Sequence, residues 1–261
     1  MAVGRRLGLR VDDAYVLAEG YSVRVHLAPS PVVARVPTLG AVARKPIQPW
    51  LERELAVTTW LAEQGAPVIA PSAEVEPGPH EHDGLQVSLW NHVAIGPERP
   101  DQPDFGAALA DLHATLRAYP GNLPVLVPVQ HDIAWALRRT DNPVAHRTYA
   151  RLHDAIHRPQ GTLQPLHGDA HTGNLAVTAQ GLRWNDFEDV CRGPIAWDLA
   201  SATISRSAID AYPGPPPAAE LQTYRDVRRL QILTAALACP DWFPEGAPLR
   251  EQLLAHFAAQ E

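Results

Sequence analysis

The sequence has 261 residues, enough for one large domain or two small lobes sharing a cleft, either able to bury a core without disulfide staples. Hydrophobic residues make up 46% and charged residues 20%, ordinary for a globular chain, and no stretch approaches the roughly 18 uninterrupted apolar residues that a membrane span requires. The formal charge of −7 disfavours a polyanion-binding surface, so nucleic acid is not expected as a partner, whereas a neutral or cationic small molecule fits. Arg5 and Arg6 are followed by Leu7-Gly8-Leu9 and then Asp12-Asp13, which interrupts an apolar signal region and makes the cytoplasm the expected compartment. Cys191 and Cys239 are not in a Cys-x-x-Cys pair, so neither a disulfide framework nor a cysteine-built zinc site is expected.

In chain order, Tyr15-Val16-Leu17, Val23 to Leu27 and Val32 to Val36 are short β-branched runs separated by Glu19-Gly20 and Ala28-Pro29-Ser30-Pro31, the pattern of an antiparallel meander. From Trp50 to Gln64, Leu51, Leu55, Thr58 and Leu61 recur at helical spacing, and Gly65 is placed as a stop. Val68 to Val75 and Leu85 to Trp90 read as two further strands, joined through a turn at His80-Glu81-His82-Asp83-Gly84. A polar, proline-containing connector runs from Gly96 to Pro103. Beyond it the period becomes helical, with Phe105, Leu109, Leu112, His113 and Leu116 on one face. Further helices are expected over Ile133 to His157, Ala196 to Ala211, Glu220 to Ala238 and Pro248 onward. Leu163 to Leu166, Leu175 to Thr178 and Leu182 to Asn185 read as short strands, the last two forming a hairpin inserted in a helical lobe. The boundary is expected near Val93, giving a small α+β lobe over residues 1–93 and a mainly helical lobe over 94–261.

The densest polar chemistry lies in Leu166-His167-Gly168-Asp169-Ala170-His171-Thr172-Gly173-Asn174-Leu175, followed by Arg183-Trp184-Asn185-Asp186-Phe187-Glu188. An Asp, an Asn five residues on and a second Asp twelve later, flanked by apolar strand residues, is not a solvated charge run. Hard divalent cations such as magnesium take oxygen ligands, and a carboxylate, an amide oxygen and nucleotide phosphates make a suitable set. Asn174 and Asp186 can supply two of those oxygens. Asp169 is then free to orient or deprotonate an attacking hydroxyl, as the catalytic-loop Asp does in phosphoryl transfer by kinases.

On these residues the chain resembles the aminoglycoside phosphotransferase family, small-molecule kinases that share the protein-kinase fold. His167-Gly168-Asp169-x-His171-x-x-Asn174 is similar to the family's catalytic loop, Asp186-Phe187 to its metal-binding motif, Gly193 to Ala200 to the segment whose Asp, here Asp198, buttresses that loop, and Leu109 to His113 to the helix after the lobe connector. The resemblance implies a bilobal α+β fold: a small antiparallel sheet with one helix, and a larger mainly helical lobe carrying the catalytic hairpin. It implies ATP or GTP as co-substrate, Mg2+, and a small-molecule hydroxyl as acceptor. Asp169 would be the catalytic base, Asn174 and Asp186 the metal ligands, and His167 and Asp198 the supports of the loop. Arg35 stands where a phosphate-binding Lys would sit and Glu54 matches its helix partner, with Lys45 a fallback; Gly20 and Ser22 replace a three-glycine phosphate loop, and Asn91, His92 and Val93 would form the hinge that meets the base. His171, Glu188 and Asp189 are candidates for the acceptor site, and Asp241, Glu245 and Glu251 add acidic residues suited to an amine-bearing acceptor.

Two other readings stay open. The single glycine and Arg35 allow a nucleotide-binding module without transfer activity. His167 and His171, two His four apart with an acid between them, allow a zinc-dependent hydrolase, although Gly168, Gly173 and the strand-like flanks oppose the helix that such a site uses.

Overall fold

The computed structural model describes residues 1–201, 203–242 and 246–260. Internal contacts divide the chain into two units, the first comprising Met1–Asp101, Ala114–Tyr119 and Thr172–Val190, the second Gln102–His113, Pro120–His171 and Cys191–Glu261.

In the first unit a short helix α1 (Ala2–Arg6) precedes strands β1 (Tyr15–Ala18), β2 (Ser22–His26) and β3 (Val32–Pro37), a short α2 (Leu39–Ala43), helix α3 (Gln48–Glu63), and strands β4 (His80–His82) and β5 (Leu85–Asn91). The strands form one antiparallel sheet in the order β1-β2-β3-β5-β4. Val3, Val11, Leu27, Val32, Ala34, Val87 and Leu89 pack together as an apolar core. Register puts Arg24 opposite Arg35, and Arg35 opposite Ser88, so these three side chains leave the sheet on one face. Helix α3 buries Leu51, Leu55, Thr58 and Leu61 at the spacing read from the sequence, each buried leucine stabilising the fold by about 1.5–3 kcal/mol. Glu54, on the same buried stripe, is fully inaccessible. Gly65 ends the helix at φ +76, a left-handed conformation that a residue with a Cβ adopts at a cost.

The strand expected over Val68 to Val75 is replaced by isolated bridges, Val68 to Trp184 and Pro71 to Trp90. Pro67 and Pro71 carry no N–H, so the segment cannot run a ladder. The expected turn over His80 to Gly84 is half strand: His80–His82 is β4, and the turn narrows to Asp83 and Gly84 at φ +52 and +76, the two positive angles of a tight hairpin.

The second unit begins with α4 (Gln102–Leu116), whose last residues from Ala114 group with the first unit, and continues through α5 (Val127–Leu137), α6 (Pro143–His157) and β6 (Gln164–Leu166). The hairpin β7 (Leu175–Thr178) and β8 (Gly181–Trp184) returns to the first unit, after which β9 (Cys191–Gly193), a 3₁₀ turn (Asp198–Ala200), α7 (Arg206–Ala211), α8 (Ala218–Ala238), a second 3₁₀ turn (Pro240–Trp242) and α9 (Ala247–Ala258) complete the order. Phe105, Leu109, Leu112 and Leu116 of α4 are buried together with His113. Helix α8 packs against α5, α6 and α9. A Cβ at Gly106 would overlap the Ala208 carbonyl, so α4 and α7 meet there at backbone distance. The helix expected from Ile133 to His157 is two helices. Asn142 caps the second with its side-chain oxygen, which accepts from the Ala145 N–H at 3.1 Å, and Pro143 follows at the first turn. The helix expected from Ala196 to Ala211 is the 3₁₀ turn and α7, because Asp198 is drawn into backbone contacts described below.

By internal contacts residues 94–101 group with the first unit, and so does the β7–β8 hairpin. Backbone pairing is the reason: Ile69 N–H donates to the Trp184 carbonyl at 2.8 Å, Trp184 N–H to Pro67 at 2.8 Å and Gly96 N–H to Val177 at 2.9 Å. Among the described residues no helix is long and apolar enough to cross a membrane.

Candidate active site

The hairpin of the first unit presents its polar residues at its open end. Leu175 pairs with Trp184, and beyond that pair Asn185 donates to the Asn174 carbonyl from its backbone N–H at 3.0 Å and from its side-chain amide at 3.3 Å. Asn174 and Asp186 therefore flank the two strands as neighbours. Asp186 sits at φ +64, a left-handed conformation that Asp tolerates better than most residues. Its Oδ1 accepts from Arg35 Nη2 and its Oδ2 from Arg24 Nη2, both at 2.8 Å.

Arg35 is the centre of a buried charge cluster. Its Nη1 donates to both Glu54 oxygens at 2.5 Å, its Nη2 also donates to Glu188 Oε2 at 2.8 Å, and its Nε donates to Ser22 Oγ at 3.1 Å. Arg44 Nη1 reaches Glu188 Oε1 at 3.0 Å and Asp189 Oδ1 at 2.6 Å, and the Arg44 guanidinium lies over the Trp50 ring at 4.6 Å. Burial alone would lower the basicity of Arg35, but the carboxylates of Asp186, Glu54 and Glu188 push it further up. Burial raises the Glu54 carboxyl, as do the Asp186 and Glu188 charges, against the opposing pull of Arg35. The amide oxygen of Asn174 and the partly open carboxylate of Asp186 are hard oxygen donors at one end of one hairpin, a donor set that fits a magnesium ion.

The second unit holds Asp169. Its side chain keeps 42% of its surface open, with His171 Nε2 3.5 Å from Oδ2 and Arg228 Nη1 3.3 Å from Oδ1. The loop beneath it is pinned at several points. Gly168 turns at φ +89, its carbonyl accepts from Arg228 Nη2 at 2.5 Å and from Trp197 Nε1 at 2.9 Å, and the Arg228 guanidinium stacks 3.6 Å over the Trp197 ring. Asp169 N–H donates to His167 Nδ1 at 3.3 Å, which makes that nitrogen the acceptor. Asp198, fully buried, accepts from the His167 N–H at 2.8 Å, the Gly168 N–H at 2.9 Å and His113 Nε2 at 2.9 Å. Burial pushes the Asp169 carboxyl up, but the His171 hydrogen bond and the Arg228 charge outweigh it and hold the group well below the usual carboxylate range. Asp198 is likewise held low, its hydrogen bond with His113, helped by the Arg228 charge, outweighing its burial.

Glu188 and Asp189 are tied to Arg35 and Arg44, so their charges are compensated inside the protein; His171 stays beside Asp169. Asp241 and Glu251 are exposed, and Glu245 lies outside the described residues. Ser22 is buried as an acceptor for Arg35, and the Gly20 carbonyl accepts from Thr38 Oγ1 at 2.5 Å. The Asn91 and His92 N–H groups donate to the Ala70 and Pro31 carbonyls, and the His92 ring stacks on His26 at 3.9 Å. Lys45 is exposed. Among the described residues no cluster of three or more His, Cys, Asp and Glu could hold a metal ion, so a zinc reading of His167 and His171 lacks its ligand set. The residues that sequence reasoning missed are Arg24, Arg44, His113, Trp197 and Arg228. Arg228 had a signal: it shares a helix face with Leu221 and Tyr224, where a cation is out of place unless something faces it.

A profile described as the phosphotransferase enzyme family matches residues 16–233. The chain is 33% identical over 122 residues to a thiamine kinase of Escherichia coli strain SMS-3-5, a match covering 45% of this chain and 36% of the relative. It is 29% identical over 186 residues to that of Escherichia coli O139:H28 (strain E24377A), covering 66% and 60%; the chain thus spans about a third to three fifths of the curated relatives it matches. The solved GDP and kanamycin complex of APH(2")-IIia superposes with a TM-score of 0.69 at 17% identity over 97% of both chains, which places the fold among the protein-kinase-like phosphotransferases. With the match running from the first strand of the sheet into α8, and through both the Asp169 loop and the Asn174–Asp186 hairpin, the chain belongs to the phosphotransferase enzyme family.

Proposed function

We propose that this protein transfers the γ-phosphoryl group of ATP or GTP to a hydroxyl of a small molecule. The observation that carries the reading is the mouth of the β7–β8 hairpin, where an amide oxygen donor and a carboxylate, Asn174 and Asp186, flank adjacent strands. Together they would hold magnesium, which when bound neutralises charge on the phosphates. Asp169 orients the acceptor hydroxyl and takes its proton as oxygen attacks phosphorus. Its carboxylate is ionised at neutral pH and partly open, as an acceptor for a substrate O–H must be. Arg228, Trp197 and Asp198 hold the loop that carries it, and His171, beside Asp169, would contact the acceptor. At the hinge, the base-facing donor falls to Val93, since the amides of Asn91 and His92 are engaged elsewhere.

The acceptor class favoured by likeness is a primary alcohol on a small cationic molecule, the chemistry of thiamine, and of amino alcohols. A module that binds nucleotide without transfer would not need an ionised, open Asp169 on a loop so firmly braced. Calorimetric titration tests the metal assignment. Asp186→Ala is expected to weaken magnesium-dependent nucleotide binding by about tenfold or more, the scale on which even supporting partners of a metal ligand count. An unchanged titration in magnesium would remove Asp186 as a ligand.

A further inference from the structure

Asp186 is held by two arginines whose circumstances differ. Arg24 and Arg35 stand opposite each other in the β2–β3 register, and each donates to one oxygen of the same carboxylate at 2.8 Å. A guanidinium has five N–H donors, and those of Arg35 are matched by both oxygens of Glu54, one each of Asp186 and Glu188, and Ser22 Oγ. Its side chain is 6% exposed. For Arg35 to take a phosphate it would have to let go of a buried carboxylate, leaving that charge uncompensated at high cost. Arg24 makes its ion pair through Nη2, and its side chain is 35% exposed.

We infer that Arg24, and not Arg35, is the guanidinium that meets the phosphates of the bound nucleotide, exchanging Asp186 for them, while Arg35 is the fixed strut that keeps Asp186 in place. The inference rests on the nucleotide-binding reading given above. The exchange conserves charge. Arg24 trades a carboxylate oxygen for phosphate oxygens, and Asp186 Oδ2 becomes available as a cation ligand while Oδ1 stays on Arg35. Bidentate bonding to phosphate then becomes open to Arg24, a geometry that a guanidinium suits better than an ammonium. It also follows that the sequence position expected to bind phosphate is structural here, and that the binding function has moved one strand across the sheet.

The test is calorimetry in magnesium with ADP, GDP, adenosine and guanosine, on the wild type, Arg24→Gln and Arg24→Lys, with a thermal melt of each. For the nucleotide that the wild type binds, Arg24→Gln is expected to lose about 10- to 100-fold in diphosphate affinity, the scale of one charge-assisted hydrogen bond. Its affinity for the matching nucleoside and its melting temperature should stay near wild type, and Arg24→Lys should recover part of the diphosphate affinity. Wild-type diphosphate affinity in Arg24→Gln, or a parallel loss of nucleoside affinity, overturns the inference while leaving the kinase reading intact. A wild type that binds neither diphosphate overturns both.

Discussion

Asp169→Asn is expected to lower kcat by about 10²- to 10⁴-fold, the usual contribution of a positioned proton acceptor, while the affinity for magnesium nucleotide stays close to wild type. The substitution keeps the side chain's size and removes its charge and its capacity to take a proton. The half-open carboxylate lies 3.3 Å from Arg228 and 3.5 Å from His171, and the His171 hydrogen bond and the Arg228 charge hold it below the usual carboxylate range, against its burial. Such a weak base does not strip the hydroxyl in the ground state. In the proposed transfer it would align the O–H and take the proton late, when the new bond to phosphorus has made the oxygen acidic, as a loose phosphoryl-transfer transition state requires. Steady-state kinetics with a responsive acceptor, paired with a nucleotide titration, separate the two effects. Wild-type turnover in the variant would mean that Asp169 is not the acceptor of the proton.

Asp198→Ala is expected to destabilise the second unit by about 3–5 kcal/mol, the scale of leaving three buried donors without their acceptor at about 1–3 kcal/mol each, and to depress turnover with it. The Asp198 carboxylate is fully inaccessible and accepts from two consecutive backbone amides, those of His167 and Gly168, and from His113. Without it three buried donors lose their acceptor, and the loop bearing Asp169 loses its anchor. The sign of the pH effect follows from the same bonds. Because the folded state holds this carboxyl below its unfolded value of about 3.9, its contribution is present in full above that value. It is lost as pH falls below about 4 and through the folded pKa. Urea unfolding at pH 7 and at pH 3.5 should therefore show a larger gap between wild type and variant at pH 7. A gap of equal size at both, or none at pH 7, would contradict the role assigned to Asp198.

Much of this is legible in the local chemistry of the sequence. Strands β2, β3 and β5, helix α3 with its Gly65 stop, and the β7–β8 hairpin lie close to where the alternation and helical spacing put them. Asp169, Asn174 and Asp186 stand out because polar residues between apolar strand runs need partners, and the pairing of a strand Arg35 with a helix Glu54 is found as the resemblance implied. What stayed hidden depended on long-range pairing. The hairpin groups with the first unit because Trp184 pairs with residues more than a hundred positions earlier, which no local period encodes. Glu188 and Asp189 looked available to a substrate because Arg44, their partner, lies some 145 positions away. Likewise, Arg35 matched the expected position of a phosphate ligand, but nothing in the sequence reveals that Asp186, Glu188 and Ser22 complete its set of acceptors. The broken helix at Asn142-Pro143 is a different case: the cap and the proline were there to be read, and apolar periodicity on both sides obscured them.

Phosphoryl transfer to a small hydroxyl is tested by a transfer assay with γ-labelled ATP and GTP in magnesium over thiamine, amino alcohols, amino sugars and aminoglycosides. Label is expected on at least one acceptor, lost when magnesium is chelated and lost in Asp169→Asn. Label that stays on the nucleotide with every acceptor, or a labelled product formed equally well by Asp169→Asn, would contradict it.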